Sequence, residues 1–189
     1  MNFRRLLVLL LAGVSMAAQA AFDIDTLMQD LARHTGGKAR FVETRTMAVL
    51  DRPVVSTGEM LYQPPSRLEK RTLKPQLEEM ILDGDRLTMI TLNRRMTINV
   101  ASRPEAQAFV ESIRSTLSGD RRALEKYYRL EVSGAPQAWS LTLTPVDSAV
   151  AALIRYITVS GNGNQVRRID YIQADGDRSV LDIEPVEGS

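Results

Sequence analysis

From Lys38 onward the apolar residues of this chain recur at every second position, and that periodicity constrains the fold more than any other feature. Met96, Ile98 and Val100 alternate with Thr97 and Asn99. Tyr128, Leu130 and Val132 alternate with Arg129 and Glu131, and Trp139, Leu141 and Leu143 with Ser140, Thr142 and Thr144. A side-chain period of two describes a strand with one buried and one wet face. The runs are short and punctuated by turn residues: Asp51-Arg52-Pro53, Pro64-Pro65, Lys74-Pro75, Asp83-Gly84-Asp85, Asn93-Arg94, Gly161-Asn162-Gly163-Asn164 and Asp175-Gly176-Asp177. Such connections join antiparallel neighbours, because a parallel pair needs a crossover of about a dozen residues or more. The pattern predicts one antiparallel sheet of about eleven strands, the first running over Lys38–Val49.

Two stretches break the alternation. Asp23 is positioned to cap a helix whose Ile24, Leu27, Met28 and Leu31 form one apolar stripe, with Gly36-Gly37 as its stop and His34 near its end. Ser102 and Glu105 have capping-box spacing around Pro104, and Phe109, Val110, Ile113 and Leu117 make a second stripe that Gly119 ends. Shorter helical turns are expected near Asp120–Lys126 and Pro145–Ala152. A sheet this wide curls. Its inner face needs a cover, and the amphipathic helices are the apolar surfaces left to supply it. The expected fold is mainly β with helices: an unclosed antiparallel β-barrel under a helical lid, in one domain over 21–189, enclosing either a packed core or a cavity.

Residues 1–20 read as a cleaved signal peptide. Arg4 and Arg5 form the basic start, Leu6 to Val14 a short apolar run, and Ala18-Gln19-Ala20 a small-x-small cleavage site. The run falls short of the ~20 residues of a spanning helix. Export places the mature chain in the periplasm. With no Cys it holds itself there by its core, without disulfides.

Composition removes most catalytic classes. The absence of Cys excludes thiol catalysis and Cys-based metal sites, and a single His34 excludes a multi-His centre. No nucleophile elbow, phosphate-binding loop or dinucleotide fingerprint is present. The Asp-Gly-Asp turns lack the other ligands of a calcium loop. Lys and Arg total 24 against 23 Asp and Glu, so no field of one sign draws nucleic acid, and no aromatic cluster offers a stacking platform. The chain is read as a non-enzyme without metal or cofactor, and as a monomer. Met28 aside, the methionines of the mature chain (Met47, Met60, Met80, Met89 and Met96) fall in the first six strands. Flexible, polarisable Met suits surfaces that meet irregular apolar ligands, and equally fills a coarse core.

The order of elements resembles a known family. After a first helix come "KARFVETRTMAVL", "GEMLYQPPSRLEK" and "ILDGDRLTMI", then the helical "AFVESIRSTLSGD", "YRLEVSG", "WSLTLTP" and the closing hairpin "VRRIDYIQADGDRSVLDIE". This is similar to the LolA-like periplasmic carriers of outer-membrane lipoproteins, over essentially all of Ala21–Pro185. The resemblance implies an unclosed β-barrel capped by helices. It implies a carrier that shields acyl chains of a lipoprotein or other acylated lipid in transit from an inner-membrane donor complex to an outer-membrane acceptor. Release from such a carrier needs a lid that opens, for which the segment Pro104–Leu117 is the candidate, and the residues read as lining the cargo cavity are Phe41, Met60, Met80, Met89, Met96, Ile98, Phe109 and Ile113. The family typically places an Arg before a Pro after its G-x-L-x strand, and that Arg helps hold the lid shut. Here Pro64 stands in its place and Arg67 follows in a different register. That departure favours a paralogue carrying another lipid, such as a glycolipid, a fatty-acyl conjugate or a polyene-type pigment ester. The alternative is a non-enzymatic envelope assembly factor with a packed core and an exposed strand edge.

Overall fold

Hairpin turns make sequence neighbours into sheet neighbours, and here they do so along nearly the whole chain. The structure, a computed structural model, describes residues 22–186, so the predicted leader lies outside the described residues. Eleven strands form: β1 Gly37–Thr46, β2 Val54–Gln63, β3 Arg67–Lys74, β4 Glu78–Asp83, β5 Arg86–Thr91, β6 Arg94–Asn99, β7 Tyr128–Ala135, β8 Ala138–Pro145, β9 Ile154–Asn162, β10 Gln165–Gln173 and β11 Arg178–Pro185. They make one antiparallel sheet in the order β6-β5-β4-β3-β2-β1-β11-β10-β9-β8-β7. Its one non-local pairing joins β1 to β11, with Phe41 opposite Ile183 and Glu43 opposite Leu181.

The barrel is not closed: β6 and β7 are free edges. The chain between them must cross from one edge to the other. It does so as a 3₁₀ turn, Val100–Ser102, then helices α2, Pro104–Ser118, and α3, Arg121–Glu125. Helix α1, Ile24–Leu31, precedes the sheet, and α4, Ser148–Ala151, lies between β8 and β9.

Local chemistry moves several expected boundaries. Asp23 caps α1, its carboxylate accepting from the Thr26 amide at 2.9 Å. The helix ends at Leu31, before the glycines. His34 sits in the connection, where Nδ1 accepts from the Gly36 amide at 3.1 Å and the ring stacks on Tyr62. The first strand stops at Thr46 because the next residues turn: the Ala48 amide donates to Asp177 and the Leu50 amide to the Met47 carbonyl. The turn expected at Asn93-Arg94 lies one residue earlier, at Leu92-Asn93. Ser102 and Glu105 form no capping box. Arg103 is the N-cap with no side-chain bond, and the Ser102 hydroxyl donates to the Asn99 carbonyl at 2.7 Å. Pro104 opens α2, as its fixed φ favours. Gly119 ends it with φ 68°, packed so closely that a Cβ would lie 2.2 Å from the Met28 carbonyl oxygen.

Packing is uneven. Leu27 and Leu31 of α1, Leu124 of α3 and Val150 of α4 fill the inner face of the C-terminal strands against Leu141, Leu143, Ile157 and Val159. The Tyr128 hydroxyl donates to the Ala108 carbonyl at 2.9 Å and fastens α2 to the start of β7. The N-terminal strands have a smaller cluster, Leu82, Val100 and Val110, with Leu68 and Leu87 beside it. Between the two clusters the inner face is not filled.

Candidate functional site

That gap is a cavity of about 540 Å³, within the ~300–1,000 Å³ typical of small-molecule sites. Its floor is the curled sheet, and its roof is α2, which contributes Phe109, Val110 and Ile113. The strand period sets which residues enter it. Met80 and Leu82 on β4 stand opposite Met89 and Leu87 on β5, so all four share the concave face. Leu68 of β3, Met60 of β2, Ile169 and Tyr171 of β10 and Leu181 of β11 continue the wall, with Leu153 and Ile154 at its rim. The Tyr171 ring meets Phe109 at 5.2 Å, joining sheet to lid.

The structure brings Met60, Met80, Phe109 and Ile113 together in this cavity. It places the other four sequence-predicted residues elsewhere. Phe41 is 2% exposed and packs into the core beneath the Lys70 ammonium, which lies 4.8 Å from its ring centre. Met89 and Met96 extend the Met80 ladder, directly opposite one another on successive strands, but beyond the cavity wall toward the β6 edge. Ile98 lines a separate shallow groove with Asp83, Asp85 and Arg86.

Several wall residues escaped the sequence reading. Leu82 and Leu87 were legible in principle, each two positions from a predicted Met and therefore on the same face. Ile169, Tyr171 and Leu181 were not, because only the non-local β1–β11 pairing brings the last strands to the first.

The charged residues of the lining are Glu43, Arg45, Glu69, Lys70 and Arg178, and Glu43 is the buried one. Glu43 is 6% exposed. Its carboxylate accepts from Arg45 Nε and Ser179 Oγ, each at 2.8 Å, and from Lys70 Nζ at 2.5 Å. Burial alone would push this carboxyl up. The Arg45 and Lys70 hydrogen bonds, the Lys70 charge and the Ser179 hydroxyl outweigh it and hold the pKa down at about 2, against an ordinary 4.5. Burial pushes the Tyr171 phenol up, and the Glu43 charge pushes it further, so its hydroxyl stays protonated.

A second polar cluster ties the roof to the wall. Arg114 of α2 donates from Nη1 to the Gly84 carbonyl at 2.9 Å and meets Asp85 at 3.4 Å, both in the β4–β5 turn. It also pairs with Glu111, which accepts from Ser115 Oγ at 2.5 Å. The Glu111 hydrogen bond is the main reason the Arg114 pKa is raised, so the cation is permanent. Arg67, the nearest Arg to the Pro64 position, pairs with Glu69 and Asp83 rather than with a residue of α2. Among the described residues no group of His, Asp or Glu is arranged to hold a metal ion, and no helix is long and apolar enough to cross a membrane.

A family model described as outer membrane lipoprotein carrier protein LolA-like matches residues 16–182. No curated protein matches the chain. Among solved structures, a LolA superfamily protein from Nitrosomonas europaea is similar over 89% of this chain and 96% of its own, at 9% identity and a TM-score of 0.45. The lipoprotein LppX from Mycobacterium tuberculosis is similar over 87% of this chain and 94% of its own, at 11% identity and a TM-score of 0.42. A chain of the Pseudomonas aeruginosa MucA/MucB complex is similar over 88% of this chain, at 14% identity and a TM-score of 0.47, and this chain spans 59% of it.

Proposed function

The chain belongs to the LolA-like family of outer membrane lipoprotein carrier proteins, and from that premise we propose that it is a periplasmic carrier of an acylated molecule. The observation that carries this reading is the apolar cavity of about 540 Å³ between the curled sheet and α2. Transfer of a chain from water into such a site contributes about 0.8 kcal/mol per methylene, so eight methylenes give roughly 6 kcal/mol before ordering costs. The cargo enters and leaves by movement of α2, whose contact with the β4–β5 turn runs through Arg114. An inner-membrane donor and an outer-membrane acceptor are the partners this transfer calls for.

The test is displacement of a neutral fluorescent dye, N-phenylnaphthylamine, by acyl compounds. Ile113→Glu places a carboxylate on the apolar roof. The variant is expected to keep its circular dichroism and lose dye binding at least tenfold, on the order of the cost of burying one unpaired polar group. A folded variant that binds dye as the native chain does contradicts the assignment of the cavity.

A second reading, an assembly factor acting through a strand edge, draws support from the free edges β6 and β7 and from the solidly packed C-terminal half. It predicts that no acyl compound binds at all.

A further inference from the structure

A cavity for acyl chains has no need of a buried carboxylate, yet one end of this cavity is built from charge. Glu43 and Arg45, two apart on β1, and Lys70 on β3 share the concave face. Lys70 reaches Glu43 across Gly58 of β2, which has no side chain to obstruct it. Gly58 is required there: a Cβ would lie 2.0 Å from the Arg71 carbonyl oxygen and 2.8 Å from the Phe41 ring.

The cluster does not neutralise itself. Two cations face one anion. The other charged wall residues, Glu69 and Arg178, are engaged elsewhere, with Arg67 and with Asp170. Arg45 gives only Nε to Glu43. Its terminal nitrogens have no acceptor among the described residues, and its side chain is 52% exposed where it borders the cavity. The Tyr171 hydroxyl, on the same wall, likewise makes no hydrogen bond among the described residues. A site with one excess positive charge, a guanidinium edge and a phenol donor is complementary to an oxyanion.

We propose that the cargo is an amphiphile with an anionic head, a carboxylate or phosphate, whose head is held at Arg45 and Tyr171 while its chain runs under α2 toward Leu82 and Leu87. Glu43 is the positioning residue: it fixes Arg45 and Lys70 in place and leaves one cationic charge for the ligand. This assignment rests on the carrier reading above.

The experiment separates the two. The whole exported chain is loaded with N-phenylnaphthylamine and titrated with dodecanoate, with its methyl ester and with acetate. Dodecanoate is expected to bind more tightly than the ester by about tenfold, the worth of one charge-assisted hydrogen bond. In Arg45→Gln the ratio of ester to acid dissociation constants falls toward one, and a ratio that stays at about tenfold in this variant overturns the proposal. Equal affinities of acid and ester for the native chain overturn the anionic-head proposal and leave the carrier reading standing. Binding of neither overturns both. Displacement by acetate alone overturns the proposal by reassigning the site to a free small anion.

Discussion

Replacing Arg114 by Ala removes the side chain that fastens α2 to the β4–β5 turn. Arg114 is 17% exposed. Its bond to the Gly84 carbonyl, from a charged donor at 2.9 Å, is worth about 1.5–3 kcal/mol. The contact with half-exposed Asp85 at 3.4 Å adds about 0–1 kcal/mol. Together they hold the roof to the wall by ~1.5–4 kcal/mol, a factor of roughly 10–700 in the ratio of closed to open forms. Amide hydrogen exchange reads that ratio directly. Peptides covering α2 are expected to lose protection by that factor in Arg114→Ala, while peptides from β9 and β10 keep theirs. Glu111 stays with Ser115 as its partner, and adding Glu111→Gln removes the stranded charge and isolates the loss of the latch. Dissociation of bound dye is expected to quicken in step. Unchanged α2 protection refutes the latch. An equal loss across every peptide refutes it too, because Arg114 would then support the whole domain rather than the lid.

Two further predictions follow from the same wall. Gly58→Ala forces a Cβ against the Arg71 carbonyl oxygen and is expected to lower stability by about 1–3 kcal/mol, read as a shifted urea midpoint. Glu43 has a folded pKa of about 2 against 4.5 ordinarily, so its stabilisation is complete above about pH 4.5 and drains as pH falls toward 2. The gap is worth ~3 kcal/mol. Urea midpoints taken between pH 7 and pH 3 should fall more steeply for the native chain than for Glu43→Gln, and parallel slopes would count against the account.

Local rules made most of the fold legible. Alternation and turn residues located the strands, and Asp23 and Pro104 marked the starts of two helices. Boundaries slipped where a distant group intervened, as where Asp177 captures the Ala48 amide and ends β1. The capping box failed because Asn99 and Ser102 bond within the 3₁₀ turn instead. The site was harder. The chemistry of methionine marked Met60 and Met80, and the apolar stripe of α2 marked Phe109 and Ile113. Parity cannot say where a curled sheet stops facing a cavity, so Met89 and Met96 share the face of Met80 yet lie past its wall. The charged end was hidden for another reason. In the alternation of β1, Glu43 and Arg45 look like the polar partners of apolar neighbours. Only the sheet order, with β1 between β2 and β11, brings Lys70 and Ser179 onto the same carboxylate.

The central claim is that this cavity carries an acyl chain. It is tested most directly by native mass spectrometry of the protein isolated from its own cell, followed by organic extraction and identification of whatever dissociates. A bound acylated species is expected, in a one-to-one complex, that Ile113→Glu fails to retain. A bare protein mass, together with no displacement of dye by any acyl compound, would contradict it.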